Sequence, residues 1–199
     1  MLKVIGKASS INVRKVLWTC AEIGRAFERE EWRDEFAGLN PNSMVPVIVD
    51  DGFVLWESNA ICRYLCAQSQ GSGLLGADAR ARARIEQWMD WQATELNNAW
   101  RYAFMALVRH SPFHADPAQI EASSANWNRH IGILDAQLEA TGRFVTGERF
   151  TLADVVLGLS VNRWMMTPMA RPDYPAVHAY YERLGTRPAF LEHGRNGVP

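Results

Sequence analysis

The first third of the chain switches between the two-residue apolar period of a strand and the longer period of a helix. Residues 2–6, with Leu2, Val4 and Ile5, read as a strand, residues 12–23 as a helix and residues 27–32 as a second strand, giving a βαβ opening. After the loop Gly38-Leu39-Asn40-Pro41-Asn42, the run Val45-Pro46-Val47-Ile48-Val49 is followed by Asp51-Gly52 and then Phe53-Val54-Leu55. That pattern predicts a hairpin with a tight Asp-Gly turn. A helix from about Ser58 to Cys66 completes a βαβ-ββα unit, a four-stranded sheet with three helical segments.

The pattern then changes. Gln68-Ser69-Gln70-Gly71-Ser72-Gly73 is small and polar, as a linker is, and Gly and Pro become sparse beyond it. We expect one domain over residues 1–70 and a second over residues 78–199. Residues 78–109 carry Ile85, Trp88, Met89, Trp91, Leu96, Trp100, Phe104 and Leu107 at helical spacing, which predicts one long helix. Residues 117–140 predict another, with Ile120, Trp127, Ile131, Leu134 and Leu138 as its core stripe. Thr151 and Asp154, ahead of Val155-Val156-Leu157-Gly158-Leu159, have the spacing of a capping box. Residues 174–184 and a short segment from Arg187-Pro188 add two more helices, so the second domain is all helical and the fold class is α/β plus all-α.

Composition narrows the function. A chain of 199 residues with 48% hydrophobic content can bury a sizeable core. Its formal net charge of -1 supplies no broad basic field, which argues against nucleic acid or an anionic membrane as the main partner. No stretch approaches the ~18 apolar residues of a membrane span, and residues 1–7 lack a signal-peptide core, so we expect a cytoplasmic protein. Cys20, Cys62 and Cys66 include no Cys-x-x-Cys pair and read as reduced packing residues. The histidines, at 110, 114, 130, 178 and 193, lack metal-ligand spacing, and no metal is expected.

Three short segments carry candidate chemistry. Glu57-Ser58 opens a helix, where backbone N–H groups and a serine hydroxyl favour a carboxylate and the Glu57 carboxylate can hold a neighbouring ammonium. An amino acid zwitterion fits both, although Ser58 as a simple helix cap also fits. Val45-Pro46 begins a strand; a cis bond there would turn the Val45 N–H and C=O outward toward an extended peptide. Ser9, Ser10 and Asn12 lie where the first strand runs into the first helix, and any of the three could cap that helix or donate to a ligand thiolate. A hydrogen bond to a charged group contributes roughly 1.5 to 3 kcal/mol, or about one to two pKa units, which brings a thiol of pKa ~8.5 close to neutrality.

In this order and spacing, the Ser9-Ser10-Ile11-Asn12 turn, the loop Asn40-Pro41-Asn42-Ser43-Met44-Val45-Pro46, the run Trp56-Glu57-Ser58-Asn59-Ala60-Ile61-Cys62-Arg63-Tyr64-Leu65 and the Thr151 and Asp154 box resemble the cytosolic glutathione transferases, in a bacterial, serine-type, theta-like form. The resemblance covers essentially the whole chain. It implies a thioredoxin-like amino-terminal domain that binds glutathione as co-substrate, with Glu57 and Ser58 on the γ-glutamyl end, Val45 pairing with the cysteinyl backbone ahead of a cis Pro46, and Ser10 stabilising the thiolate. Asn12 matches the position used by members related to disulfide reductases. Met44 stands where many members carry Lys, Arg or Gln against the tripeptide, Ser43 replaces a common glycine, and Arg33 is a candidate for the glycyl carboxylate.

The resemblance further implies a cytoplasmic homodimeric detoxification enzyme that directs the thiolate at a hydrophobic electrophile in a pocket between the domains, with Trp100, Arg101, Phe104 and Trp164 nominated as its lining. Two other activities stay open: glutathione-dependent reduction of disulfides or peroxides, and glutathione or ligand binding without catalysis.

Overall fold

In the computed structural model, which describes residues 1–69 and 71–199, strand β1 (Leu2–Ile5) leads into helix α1 (Ile11–Glu22) and back to strand β2 (Glu28–Glu30). A 3-10 segment, Asp34–Leu39, precedes strands β3 (Val47–Asp50) and β4 (Phe53–Trp56), and helix α2 (Ser58–Gln68) follows. The sheet runs β2-β1-β3-β4, with β1 and β2 parallel and the other pairs antiparallel. Asp50 faces Phe53, so Asp51-Gly52 is the two-residue turn, and both turn residues have the positive φ, 48° and 89°, that such a loop requires. The βαβ-ββα order expected of the sequence is formed. The second strand is shorter than residues 27–32, because its Glu-Arg-Glu run on the sheet edge offers little apolar surface to bury.

The described residues gather into two compact units, Met1–Arg82 with Gly185–Val198, and Ala83–Leu184 with Pro199. The expected boundary ran through residues 70–78, of which Gln70 lies outside the described residues. In the first unit the core combines Leu2, Val4, Ile5, Val16, Trp18, Ile48, Ile61 and Leu65. Helix α8 (Pro188–His193) packs on α1, with the Phe190 ring 5.0 Å from that of Trp18 and Arg187 paired to Glu22. Buried Arg14 of α1 ties down the residues beyond α8 by donating to the carbonyls of Val198 (2.8 Å) and Gly194 (3.3 Å) and to Asn196 Oδ1 (3.3 Å).

The second unit is helical. The single helix expected over residues 78–109 is instead α3 (Ala79–Trp91), a π-helical segment Gln92–Leu96, and α4 (Asn97–Leu107). Inside that wider turn, buried Gln92 donates to Asn97 Oδ1 (2.8 Å) and Ser160 Oγ (3.0 Å), so the π segment turns a polar side chain inward where partners await it. Helix α5 (Pro117–Thr141) opens on the Asp116 cap and closes on Gly142 with φ 74°. Helix α6 (Leu152–Met166) is buried along nearly its whole length, and α7 (Pro175–Leu184) completes the unit. At the start of α6 the Asp154 carboxylate accepts from the Thr151 N–H (2.8 Å), the Thr151 hydroxyl (3.0 Å) and the Val145 N–H (2.9 Å), the expected box extended by one strap. Burial still pushes the Asp154 carboxyl up to about 6.

Among the described residues, no helix is long and apolar enough to cross a membrane.

Candidate functional site

Helix α1 starts at Ser10, whose extended backbone (φ -76°, ψ 124°) turns the chain out of β1, and no side chain caps it. Ser9 and Ser10 are half-buried, and the Ser10 hydroxyl does not close on its own helix. Helix α2 starts one residue earlier than a Ser58 cap would require. Glu57 occupies the cap position and Ser58 the first helical one, again without a side-chain capping bond. Glu57 is exposed and holds φ 72°, a left-handed conformation that costs a non-glycine residue on the order of 1 kcal/mol and recurs at binding sites.

These two helix starts meet. Ser58 Oγ donates to Asn12 Oδ1 at 3.4 Å, so the first turns of α1 and α2 lie side by side. The contact continues as a polar seam between the helices. Buried Lys15 Nζ donates to Asn59 Oδ1 (3.3 Å), and Thr19 Oγ1 meets Cys62 Sγ (3.2 Å). Asn12, Lys15 and Thr19 recur at helical spacing on α1 and face Ser58, Asn59 and Cys62 of α2, which holds both helices in one register. The N-terminal turns therefore present their backbone N–H groups and positive dipole ends to the same region, a favourable place for anions.

The Val45 segment reaches the same region through Gly6. Its φ is 146°, and a Cβ added there would lie 2.5 Å from Val13 Cγ2 and 2.9 Å from Val45 Cβ, so only glycine lets the end of β1, α1 and Val45 close together. The Val45-Pro46 bond is cis. Pro46 is buried and Val45 half-buried, just ahead of the β1–β3 ladder, which begins where Val47 faces Ile5. Asn40, which sequence reasoning passed over, fixes this loop. It is buried, donates to the Met44 carbonyl (2.8 Å) and accepts from the Asn42 N–H (2.9 Å), an Asx turn for which Asn40-Pro41-Asn42 was the available signal. Met44 is 63% exposed, and Ser43 takes φ 50°, the conformation a glycine would accept more easily. Arg33 is already engaged by Glu30 (2.6 Å) and Glu35 (3.2 Å).

The three cysteines are buried and free. Burial pushes their thiols up, to about 12 for Cys20 and Cys66 and to about 11 for Cys62, so they stay protonated at neutral pH and are poor nucleophiles. Among the described residues no group of three or more His, Cys, Asp or Glu is arranged to hold a metal ion.

The four nominated pocket residues lie in the helical unit and divide into three settings. Trp100 and Phe104 touch, with ring centroids 5.4 Å apart, and buried Arg163 lies over both, 4.6 Å from Trp100 and 4.1 Å from Phe104. Sequence reasoning missed this cation, since an arginine within an apolar helix gives no sign of stacking on another helix. Arg101 points to solvent. Trp164 is fully buried, its Nε1 donates to Asn128 Oδ1 (2.8 Å), and its ring packs on Tyr174.

The family model of the glutathione S-transferase N-terminal domain matches residues 9–68, which span the α1 turn, the Val45 loop and α2, and that of the C-terminal domain matches residues 117–183. Glutathione S-transferase GstB of Escherichia coli K12 is 36% identical over 201 residues, covering 95% of both chains. Glutathione S-transferase 3 of Zea mays is 32% identical over 210 residues, covering 95% of this chain and 91% of the maize protein. A crystal structure of the theta class glutathione S-transferase from Xanthomonas axonopodis pv. citri, with glutathione bound, superposes with a TM-score of 0.91 at 33% identity, covering 100% of this chain and 99% of that one. A thioredoxin-like unit with two helix starts turned on one region, joined to a helical unit, defines a class of protein, and the similarities give it a name. The chain belongs to the glutathione S-transferase family.

Proposed function

We propose that this protein binds glutathione over the joined starts of α1 and α2 and transfers its thiolate to a hydrophobic electrophile. The observation that carries the reading is the 3.4 Å contact between Asn12 and Ser58, which brings the candidate thiol turn beside the candidate γ-glutamyl pair. Glu57 holds the ligand ammonium, the first turn of α2 holds the adjoining carboxylate, and Val45 pairs with the cysteinyl backbone, with Pro46 and Met44 flanking it. Ser9, Ser10 and Asn12 supply the thiol-side donors. A donor and a helix dipole that bond S⁻ more strongly than SH lower the thiol pKa, so the proton leaves to solvent before the reaction. The thiolate then attacks the electrophilic atom. A C–S bond forms, and the leaving group departs with the electrons of the bond it loses.

In this reading residues 1–70 form the glutathione domain, with residues 185–198 packed back onto it, and the helical domain follows from residue 78; of the four residues nominated to hold the electrophile, Trp100 and Phe104 carry the proposal, while Arg101 points to solvent and Trp164 is fully buried. The protein is a cytoplasmic homodimer. Exposed Phe53 and Val54 on edge strand β4 support an interface of this kind. Light-scattering mass gives the test, and a monomer at micromolar concentration would remove the dimer from the account.

A second activity, reduction of glutathione mixed disulfides, is supported by the same residue. It is Asn12, not Ser10, whose side chain is tied to Ser58. In that reaction the thiolate attacks the glutathione sulfur of the mixed disulfide, forming oxidised glutathione and releasing the other thiolate. Calorimetry with glutathione followed by turnover of an aryl halide and of a mixed disulfide tests both readings. Saturable binding with aryl halide turnover supports conjugation, turnover of the disulfide alone supports reduction, and binding without either supports a carrier. No binding would overturn the proposal.

A further inference from the structure

Resting on the glutathione site proposed above, we infer that residues 194–198 are a positioning strap for it: by holding the Arg14 side chain they fix the first turn of α1, which carries the thiol-side residues, and their release loosens that turn. The strap is built around one buried cation. Arg14 is 1% exposed, and its Nη1 donates to the Val198 carbonyl (2.8 Å), the Gly194 carbonyl (3.3 Å) and Asn196 Oδ1 (3.3 Å). These three acceptors are neutral, and they bond the charge in place of water. The same residue closes the first turn of α1 through its backbone, where the Arg14 N–H donates to the Ser10 carbonyl (2.9 Å). Ser10, Ile11, Asn12 and Val13 are thus spanned by a residue whose side chain is tied to the far end of the chain.

The segment is shaped for this contact. Residues 185–198 gather with the first unit although they follow the helical one in sequence. Gly194 is required by a close approach, since a Cβ there would lie 2.3 Å from the Phe190 ring, which itself packs on Trp18 of α1. The N–H groups of Gly194 and Arg195 both donate to the Phe190 carbonyl (2.7 and 2.8 Å), which ends α8 and sets the path of the strap. Asn196 uses both ends of its amide: Nδ2 donates to the Glu192 carbonyl (3.0 Å), and Oδ1 accepts from the Val198 N–H (3.3 Å) as well as from Arg14. Residues 195–197 are exposed, so the strap can lift without opening a core. Arg14 beneath it would then lose three acceptors, a cost that falls on the turn it closes.

The test uses the full chain as wild type, Asn196→Ala, Asn196→Asp and Gly194→Ala. It reads amide hydrogen exchange along α1, the pH titration of bound glutathione by thiolate absorbance, and thermal unfolding. Asn196→Ala removes one acceptor of Arg14 and the bonds that shape the strap. We expect the Arg14 amide to exchange about tenfold faster, with the amides of Trp18 to Glu22 changed less than about twofold. The bound thiol pKa should rise by about half a unit, part of the value of a hydrogen bond to an ion, because the thiol-side residues are held less firmly. Gly194→Ala, whose Cβ displaces the strap from Phe190, should produce larger changes of the same kind. Asn196→Asp keeps an acceptor against Arg14, now charged, and should fall closer to the wild type than Asn196→Ala in both readings. Faster exchange along the whole of α1 in step with a lower unfolding temperature would overturn the inference, as would a loosened first turn with an unshifted thiol; either leaves the glutathione reading intact. Failure of the wild type to bind glutathione would overturn both. Should Gly194→Ala fail to fold, the two Asn196 variants decide the point: a shifted thiol in the alanine variant that the aspartate variant reverses supports the strap, and equal titrations contradict it.

Discussion

Helix α6 and the pair α1 and α2 begin in opposite ways. At α6 the Asp154 carboxylate and the Thr151 hydroxyl turn inward and use up the local donors, and both residues are buried. At α1 and α2 no side chain closes the cap, Glu57 sits exposed in a left-handed conformation, and the two starts face one another through Asn12 and Ser58. The first arrangement is a fold device, complete within the chain. The second leaves both helix starts without a side-chain cap of their own, the arrangement that the proposed binding of a ligand there requires.

The largest expected effect comes from breaking the closed start. Asp154→Ala leaves the buried N–H groups of Val145 and Thr151 without their acceptor and should cost on the order of 3 kcal/mol in urea unfolding. The Asp154 carboxyl also carries a pH signature. Its folded pKa of about 6 lies above the unfolded 3.8, so the folded state binds the proton more tightly. Its contribution is fullest below pH 3.8 and is lost as pH rises toward 6, by roughly 3 kcal/mol in all. The stability difference between wild type and Asp154→Asn should therefore change with pH across that window; a constant difference would show that the carboxyl titrates normally.

At the open starts the expected effects fall on function. Glu57→Gln should weaken glutathione binding roughly 10- to 100-fold through loss of a charge-assisted bond, while the unfolding midpoint stays within about 0.5 kcal/mol, since Glu57 is exposed. Unchanged affinity would mean that its conformation serves the fold alone. Gly6→Ala cuts across the comparison, because the added Cβ would overlap Val13 and Val45 at φ 146°. It should cost about 1–3 kcal/mol and also weaken glutathione binding. Full stability would show that the contact can relax.

The sequence made the local devices legible and the distant ones not. Asp51-Gly52 announces its own turn, and Thr151 and Asp154 announce a cap, because each is settled within four residues. The π segment at Gln92–Leu96 was hidden, since one wider turn leaves the apolar spacing of residues 78–109 almost unchanged while its cause, Ser160, lies far along the chain. The packing of α8 on α1 rests on Arg187 and Glu22, and the setting of Lys15 on Asn59, pairings between segments that no periodicity records. At the site, the residue types in the three motifs were readable one motif at a time. Their meeting through Gly6 and through Asn12 and Ser58 required the fold.

The most direct test of the account is the ionisation of glutathione bound to the wild-type protein, followed by thiolate absorbance across pH. Two open helix starts with a donor on the sulfur predict a bound thiol pKa one to two units below that of free glutathione. A bound thiol that titrates as it does in solution would contradict the claim that these helix starts activate it.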